Sequence, residues 1–331
     1  MPKLTSMPKP HVSVIIPAYN EEGVLQRNVE EIISTLSAAP WSWEIILVND
    51  GSSDNTGKVM ELLSRKYKQI RAFHHPFNRG RGAAMRTGFD NAGGDIIVTL
   101  DADLSYSPRH VTALVAAIEK SNADIVQGSP YMKGGRAVNV PFFRLFLSRM
   151  GNKILTLSFG HDLTVVTGIL RAYRRHVLDS LNLKSEGKDI HLEIMSKALD
   201  LGFKVKEIPA VLRWRKVKKN GKPARKSKFK LARLLSEHLA FTFSETPFLL
   251  LGSVGLLFVL AGLLLGFYII YLWLHATLDP TRPIVYLMVL LLLSGIQGLM
   301  FAFLASQNRS QRRELIIIQS QLRNLDKKLK K

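Results

Sequence analysis

The chain has 331 residues, no cysteine, and 46 Lys and Arg against 26 Asp and Glu, which leaves a formal net charge of +20. The missing cysteines exclude disulfides and thiolate metal centres. The length suits one large domain or two smaller ones, and the charge calls for an anionic partner, either lipid or nucleic acid.

Met1 to Pro10 is polar and proline-punctuated and lacks the apolar core of a signal peptide, so residues 1–10 are expected to form a cytoplasmic tail. Val12 to Ile16 reads as a buried strand. Glu21 to Leu36 has helical spacing, with Val24, Leu25, Val29, Ile32, Ile33 and Leu36 on one face. Glu44 to Val48 is a second strand, and Asp54 or Asn55 would cap the helix that reaches Tyr67. Ile70 to His74 follows as a strand, Gly82 to Asn91 as a helix, and Ile96 to Leu100 as a strand. Pro108 opens a helix over His110 to Lys120, and Asp124 to Gln127 is again extended. Such alternation builds βαβ units and a mostly parallel sheet covered by helices.

In sheets of this kind, ligands bind at the carboxyl ends of the strands. Three polar clusters fall there: residues 17–22, residues 49–54, and Asp101-Ala102-Asp103. Two carboxylates spaced by one small residue are expensive to bury without partners. Alternation along an extended backbone would put both acids on one side. That arrangement suits a divalent cation, Mg²⁺ or Mn²⁺, gripping a diphosphate.

Beyond Gly128 the pattern loosens, and Gly134-Gly135 marks a loop. Phe142 to Phe159 is apolar with Arg144, Arg149 and Lys153 interspersed, which fits either an interfacial amphipathic helix or a core helix. Thr164 to Tyr173 reads as a strand, Ile190 to Leu201 as a helix, and Lys204 to Leu212 as a final strand. His74, His75 and His191 show no metal-ligand spacing and are read as surface or structural groups.

Between Arg213 and Arg233 there are eleven basic residues and no acid, and a basic juxtamembrane helix is expected over about 229–246. Two uncharged apolar runs follow, at about 248–274 and 284–305. Each is long enough for a bilayer core of roughly 30 Å, which takes about 20 helical residues. The short link His275 to Pro283 leaves room only for an antiparallel hairpin, and Tyr268, Tyr271, Trp273 and Tyr286 near it form an aromatic belt. Basic flanks on both sides place the catalytic part and both termini in the cytoplasm, with a multi-pass cell-membrane location. The basic run leads straight into the bilayer, so its partner is anionic lipid, and no nucleic-acid partner is expected. In the basic tail 307–331, Leu315, Ile318, Leu322, Leu325 and Leu329 recur at spacings of 3, 4, 3 and 4. That is the seam of a short coiled coil, which would serve a homo-oligomer.

Four ordered motifs stand out: residues 17–22 (Pro-Ala-Tyr-Asn-Glu-Glu), residues 48–54 (Val-Asn-Asp-Gly-Ser-Ser-Asp), residues 78–84 (Asn-Arg-Gly-Arg-Gly-Ala-Ala), and residues 101–105 (Asp-Ala-Asp-Leu-Ser) with Pro108. With residues 167–174 (Thr-Gly-Ile-Leu-Arg-Ala-Tyr-Arg) they resemble family-2 glycosyltransferases of the GT-A fold. The nearest resemblance is to dolichyl- or polyprenyl-phosphate mannose or glucose synthases. It covers about residues 10–230 and implies a GT-A catalytic domain over 11–230, with an acceptor loop at about 128–140.

The resemblance implies an inverting, metal-dependent transfer of mannose or glucose from a GDP- or UDP-linked donor to a polyprenyl or dolichyl phosphate. Pro17, Tyr19, Glu21 and Asp50 would line the nucleoside, with Gly80 and Arg81 near the donor. Asp101, Ala102 and Asp103 would meet ribose, diphosphate and metal, with Ser105 as third metal ligand. Asp101, Asp103 and Arg171 would be the catalytic residues. Arg171 would face the acceptor phosphate, with Arg213, Arg215 and Lys228 behind it. Arg136 would stand in for the Arg that members carry where this chain has Pro130, or the acceptor loop would differ from theirs.

Three other readings are weighed. A dinucleotide oxidoreductase would use Gly80-Arg81-Gly82, but its third glycine position is Met85. A processive polysaccharide or glycolipid synthase shares the donor chemistry, but the Gln of its Gln-x-x-Arg-Trp element is Ala210 here. A catalytically silent membrane scaffold would have no use for Asp101 and Asp103.

Overall fold

The computed structural model describes residues 10–159, 163–214, 251–275 and 283–329. The chain divides into two compact units, residues 1–227 with 316–331, and residues 228–315.

The first unit is built on parallel strands whose residues are apolar almost without interruption, as strands covered on both faces must be. β1 (Val12–Ala18), β2 (Trp43–Asn49), β3 (Ile70–His74) and β4 (Ile96–Thr99) alternate with α1 (Glu22–Ser37), α2 (Thr56–Lys66) and α3 (Arg81–Asn91). Then come α4 (Arg109–Glu119), β5 (Ile125–Ser129), β6 (Arg136–Val138), α5 (Phe142–Phe159), β7 (Arg171–Arg174), α6 (Arg175–Ser180), α7 (Ile190–Asp200), β8 (Val205–Pro209) and β9 (Val211–Arg213). The sheet order is β3-β2-β1-β4-β7-β5-β8, and β6 pairs with β9 in a small parallel sheet. β7 runs antiparallel to both of its neighbours, and the other pairs in the large sheet are parallel. One apolar core packs α1, α2 and α4 on one face of the sheet, and a second packs α3, α6 and α7 on the other.

Two expected strands are corrected. Thr164 to Tyr173 is extended only from Arg171, because the preceding backbone bonds to side chains instead of a ladder. Thr164 N and Val165 N donate to the Glu207 carboxylate, and Val166 N donates to Asn152 Oδ1. The expected strand over Lys204 to Leu212 is two strands, split at Ala210. There the chain leaves β5 for β6, with Ala210 N on Ser129 O and Arg136 N on Ala210 O. At the start of α2, Asp54 Oδ1 accepts from Thr56 N at 3.0 Å, while Asn55 makes no side-chain cap.

α5 has two faces. Leu147, Asn152 and Thr156 are buried, while Phe142, Phe143, Phe146 and Met150 stand in solvent, Phe142 at 83% exposure. Arg144 stacks on Trp214 at 4.1 Å, and Arg149 lies over Tyr131.

In the second unit, α8 (Ser253–Leu274) meets the apolar part of α9 (Pro283–Leu329). Both helices are long and apolar enough to cross a membrane, and 11% of each apolar window is buried. Leu264 and Phe267 are about 70% exposed, which a soluble core hairpin would not tolerate. The helices touch through glycines, as membrane helices do. A Cβ on Gly255 would stand 2.9 Å from Gly295 O, and one on Gly262 would stand 2.8 Å from the Leu292 side chain. α9 continues without a break through the expected tail to Leu329. Arg323 donates to Leu181 O there, while Leu315, Ile318, Leu322, Leu325 and Leu329 remain exposed. The expected juxtamembrane helix at 229–246 lies outside the described residues.

Candidate active site

The carboxyl ends of β1 and β2 carry two loops that are laced together. Asn20 N donates to Ser52 Oγ at 3.0 Å, and Ser53 N returns to Asn20 Oδ1 at 2.9 Å. Glu21 N donates to Thr56 Oγ1 at 2.8 Å, and Asn55 N donates to Glu22 Oε2 at 2.7 Å. Tyr19, at the rim, is 46% exposed and free to stack on a planar ring. Pro17 lies within β1, and Glu21 O accepts the first bonds of α1.

Asp50 is buried. Its Oδ1 accepts from Arg79 N at 3.0 Å and faces His75 Nδ1 at 3.0 Å, and its Oδ2 accepts from Gly80 N at 2.9 Å. A carboxylate has about four acceptor positions, and three are already used. Asp50 therefore holds the 78–80 loop, and His75, braced on Thr87 Oγ1, holds Asp50.

That loop enters α3 through Gly80, whose φ of +97° favours glycine. The other wall is the 184–189 segment. Gly82 N donates to Glu186 O at 2.7 Å, and a Cβ on Gly80 would stand 2.3 Å from that same oxygen. Only glycine lets the two backbones meet. Glu193 fastens the segment from below, accepting from Lys184 N and Ser185 N at 2.9 and 2.8 Å and from Lys197 Nζ at 2.6 Å.

Arg81 emerges from this loop with Nη2 3.3 Å from Asp101 Oδ1. Burial pushes the Asp101 carboxyl above its ordinary range, Arg81 draws it back, and the Asp103 charge adds to the upward push. The two acids meet through a turn, not through the extended alternation expected. Leu104 N donates to Asp101 O at 3.2 Å, and Leu104 has φ +50°. Ala102 points into the core, and its carbonyl accepts from Asn28 Nδ2 at 2.8 Å. Ser105 Oγ, the expected third metal ligand, donates to Asp103 Oδ1 at 2.7 Å and so orients the second carboxylate.

Two hard carboxylate oxygen donors suit a divalent cation such as Mg²⁺. Among the described residues no group of three His, Cys, Asp or Glu side chains converges on one point. The remaining ligands would thus come from diphosphate and water, which is Mg²⁺'s usual habit.

In the small sheet, where the acceptor cations are expected, Arg136 pairs with Val211, and Val138 pairs with Arg213. Residues two apart on a strand share a face, so Arg136 and Arg213 lie on one exposed face. This sheet is tied to the acid turn, since Arg213 N donates to Ser105 O at 2.8 Å. Arg215 and Lys228 lie outside the described residues.

Arg171 corrects the expectation of a cation facing the acceptor. It is fully buried, and its guanidinium donates from Nε to Gln127 Oε1 at 3.0 Å, from Nη1 to His191 O at 3.0 Å, and from Nη2 to Val166 O at 2.5 Å. Those bonds clamp β5, the 163–170 loop and the start of α7 together. His191, read from the sequence as a surface or structural group, is buried, and its carbonyl accepts one of the Arg171 bonds. The Arg81 and Lys188 charges that act on Asp101 act on it as well. No spacing signal marks either residue, because 171 and 191 meet only through the tertiary fold.

Comparison with known proteins gives consistent results. The Glycosyl transferase family 2 model matches residues 13–181. The polyprenol monophosphomannose synthase of Mycolicibacterium smegmatis is 33% identical over 238 residues, 69% of this chain and 88% of that protein. The dolichol-phosphate mannosyltransferase of Pyrococcus furiosus is 36% identical over 203 residues, 60% of this chain and 55% of that protein. Among solved structures, glucosyl-3-phosphoglycerate synthase from Mycobacterium tuberculosis, in complex with Mn²⁺, UDP and glucosyl-3-phosphoglycerate, superposes with a TM-score of 0.53. It is 20% identical, over 71% of this chain and 80% of its own, a likeness of fold.

Proposed function

The chain belongs to glycosyltransferase family 2, and from that premise we propose that it transfers one hexose from a nucleoside-diphosphate sugar to the phosphate of a polyprenyl or dolichyl phosphate. Mannose, named in both relatives, is the first sugar to test, from GDP-mannose, and glucose from UDP-glucose is the second. The observation that carries the reading is the acid turn itself. Asp101 and Asp103 sit between Arg81 of the donor loop and the Arg136–Arg213 face, joined to that face through Ser105.

The nucleoside would lie on Tyr19 against the laced loops, with Pro17 and Glu21 beside it and Asp50 offering its last acceptor position. Gly80 and Arg81 would bring backbone amides and a guanidinium to the diphosphate, where each charge-assisted bond contributes about 1.5–3 kcal/mol. A divalent cation, Mg²⁺ or Mn²⁺, held by Asp101 and Asp103 would offset the charge that gathers on the departing diphosphate. Ser105 keeps Asp103 aimed, and Asn28 keeps the turn in place.

A phosphate monoester with a second pKa near 6 is mostly ionised at pH 7. The acceptor oxygen therefore needs no general base, only shielding and aim. Arg136 and Arg213 would supply both, with Arg215 and Lys228 extending the same charge. One bond forms from that oxygen to the anomeric carbon as the bond to the diphosphate breaks, which inverts the centre.

Membrane attachment follows from the acceptor. Anchoring by α8 and α9 keeps the enzyme in the phase that holds its lipid, with both termini and the catalytic unit cytoplasmic. The exposed Phe142, Phe143, Phe146 and Met150 of α5, flanked by Arg144 and Arg149, favour an interfacial helix over a core helix. A panel of labelled nucleotide sugars, offered with and without a short polyprenyl phosphate, tests the reading. The expected result is one preferred donor and a labelled lipid. Donor hydrolysis unaffected by the lipid would contradict it.

A further inference from the structure

His191, in the first turn of α7, is 3% exposed, and neither ring nitrogen has a hydrogen-bond partner. Its backbone is fixed, since its carbonyl takes the Arg171 Nη1 bond. A buried polar atom left unpaired costs about 1–3 kcal/mol, and this ring carries two. Burial, followed by the Arg171, Arg81 and Lys188 cations, holds the ring well below the ordinary histidine range, so it is neutral. A neutral imidazole has one N–H donor and one bare acceptor nitrogen.

That pair of unmet needs narrows the ligand. Arg171, which holds the His191 carbonyl, pairs with Thr99 two residues before Asp101, and the 184–189 segment that leads into His191 lies on the Gly80–Gly82 backbone, so the residue is placed beside the acid turn and the Arg81 loop. A phosphate oxygen could satisfy the N–H but has no proton for the other nitrogen. Hydroxyl groups both donate and accept, and a sugar ring presents them on adjacent carbons. Resting on the nucleotide-sugar reading above, we propose that His191 is a contact of the transferred hexose, accepting from one sugar hydroxyl and donating to another. In this role it selects which sugar the donor site accepts.

The test uses the full-length chain in detergent, with His191→Leu and His191→Asn. The folded His191 ring makes no side-chain hydrogen bond that the substitution could remove, so His191→Leu should melt at or above the wild-type temperature without donor. Affinities are measured for GDP-mannose, its monodeoxy analogues and GDP alone, and then for UDP-glucose and UDP. The expected result is that His191→Leu binds the sugar nucleotide about ten-fold more weakly, the equivalent of one neutral hydrogen bond. Affinity for the bare nucleotide should stay within about two-fold of wild type, and His191→Asn should recover part of the loss. One deoxy analogue should cost the wild type about ten-fold but cost His191→Leu nothing further.

An equal loss for nucleotide and nucleotide sugar, or a loss that vanishes with chelator, would make His191 a diphosphate or metal group and overturn the proposal. Full additivity at every deoxy position would overturn it as well. If the wild type binds neither GDP-mannose nor UDP-glucose more tightly than the bare nucleotide, the donor reading itself falls, and this inference with it.

Discussion

The backbone N–H of Arg213 donates to the carbonyl of Ser105 at 2.8 Å, while the hydroxyl of Ser105 donates to Asp103 at 2.7 Å. One serine thus fastens the arginine-bearing β6–β9 sheet to the acid turn. The spacing between the acid turn and the arginine face is set by covalent geometry and two short bonds, and the proposed transfer needs such fixed spacing to hold its two substrates in register.

Replacing Asp101 and Asp103 together with Asn should abolish transfer, a loss of at least about 10²-fold expected from removing an electrostatic stabiliser. The thermal midpoint should hold or rise, because Asp101 is a partly desolvated acid beside a second one. Turnover assays paired with thermal melts check this, and unchanged turnover would sink the metal assignment.

Arg171→Met should act on stability and not on acceptor affinity. It would orphan Gln127 Oε1, His191 O and Val166 O, each at about 1–3 kcal/mol. Denaturant melts should show a loss of several kcal/mol, and the folded fraction should keep its KM for polyprenyl phosphate. A raised acceptor KM with wild-type stability would restore Arg171 to the acceptor site.

Arg136→Ala and Arg213→Ala should each raise the acceptor KM by roughly ten-fold or more, since a bond to a charged group is worth about 1.5–3 kcal/mol. The donor KM should be unaffected. The two residues share a face, so the double variant should deviate from additivity.

Gly82→Ala would bring a Cβ to 2.4 Å from Ser185 O, a backbone atom that cannot step aside cheaply. The 78–82 loop should detach from the 184–189 segment, with the donor KM rising while the lipid KM holds. Initial-rate kinetics with both substrates varied will separate the two.

Glu193 links the same segment to pH. Burial alone would raise its carboxyl, but the Lys197 bond and the Ser185 and Lys184 amides outweigh that and hold it below its ordinary value of 4.5. The folded form thus favours the ionised acid. The resulting stability is complete above pH 4.5 and is lost as pH falls through the lowered folded value. Melting curves below pH 5 should fall less steeply for Glu193→Gln than for wild type.

The alternating core was legible in the sequence because parallel strands are apolar throughout, and β3 spans Ile70–His74 in both reading and structure. The acid pair was legible because carboxylates at a strand end are rarely spent on packing. What escaped was tertiary in origin. Nothing local in residues 164–170 shows that Glu207 and Asn152 will take their amides and keep them out of a strand. Nothing near Arg171 shows that its partners are Gln127 and two carbonyls, and a lone His191 reads like any other helix residue.

The most direct measurement follows label from GDP-mannose, and in parallel from UDP-glucose, into the organic phase. The full-length enzyme is supplied with a short polyprenyl phosphate and Mn²⁺ or Mg²⁺. A labelled lipid-linked monosaccharide that disappears with chelator and with the Asp101→Asn, Asp103→Asn variant is the predicted result. Label that stays in the aqueous phase with every donor would contradict a lipid-phosphate glycosyltransferase.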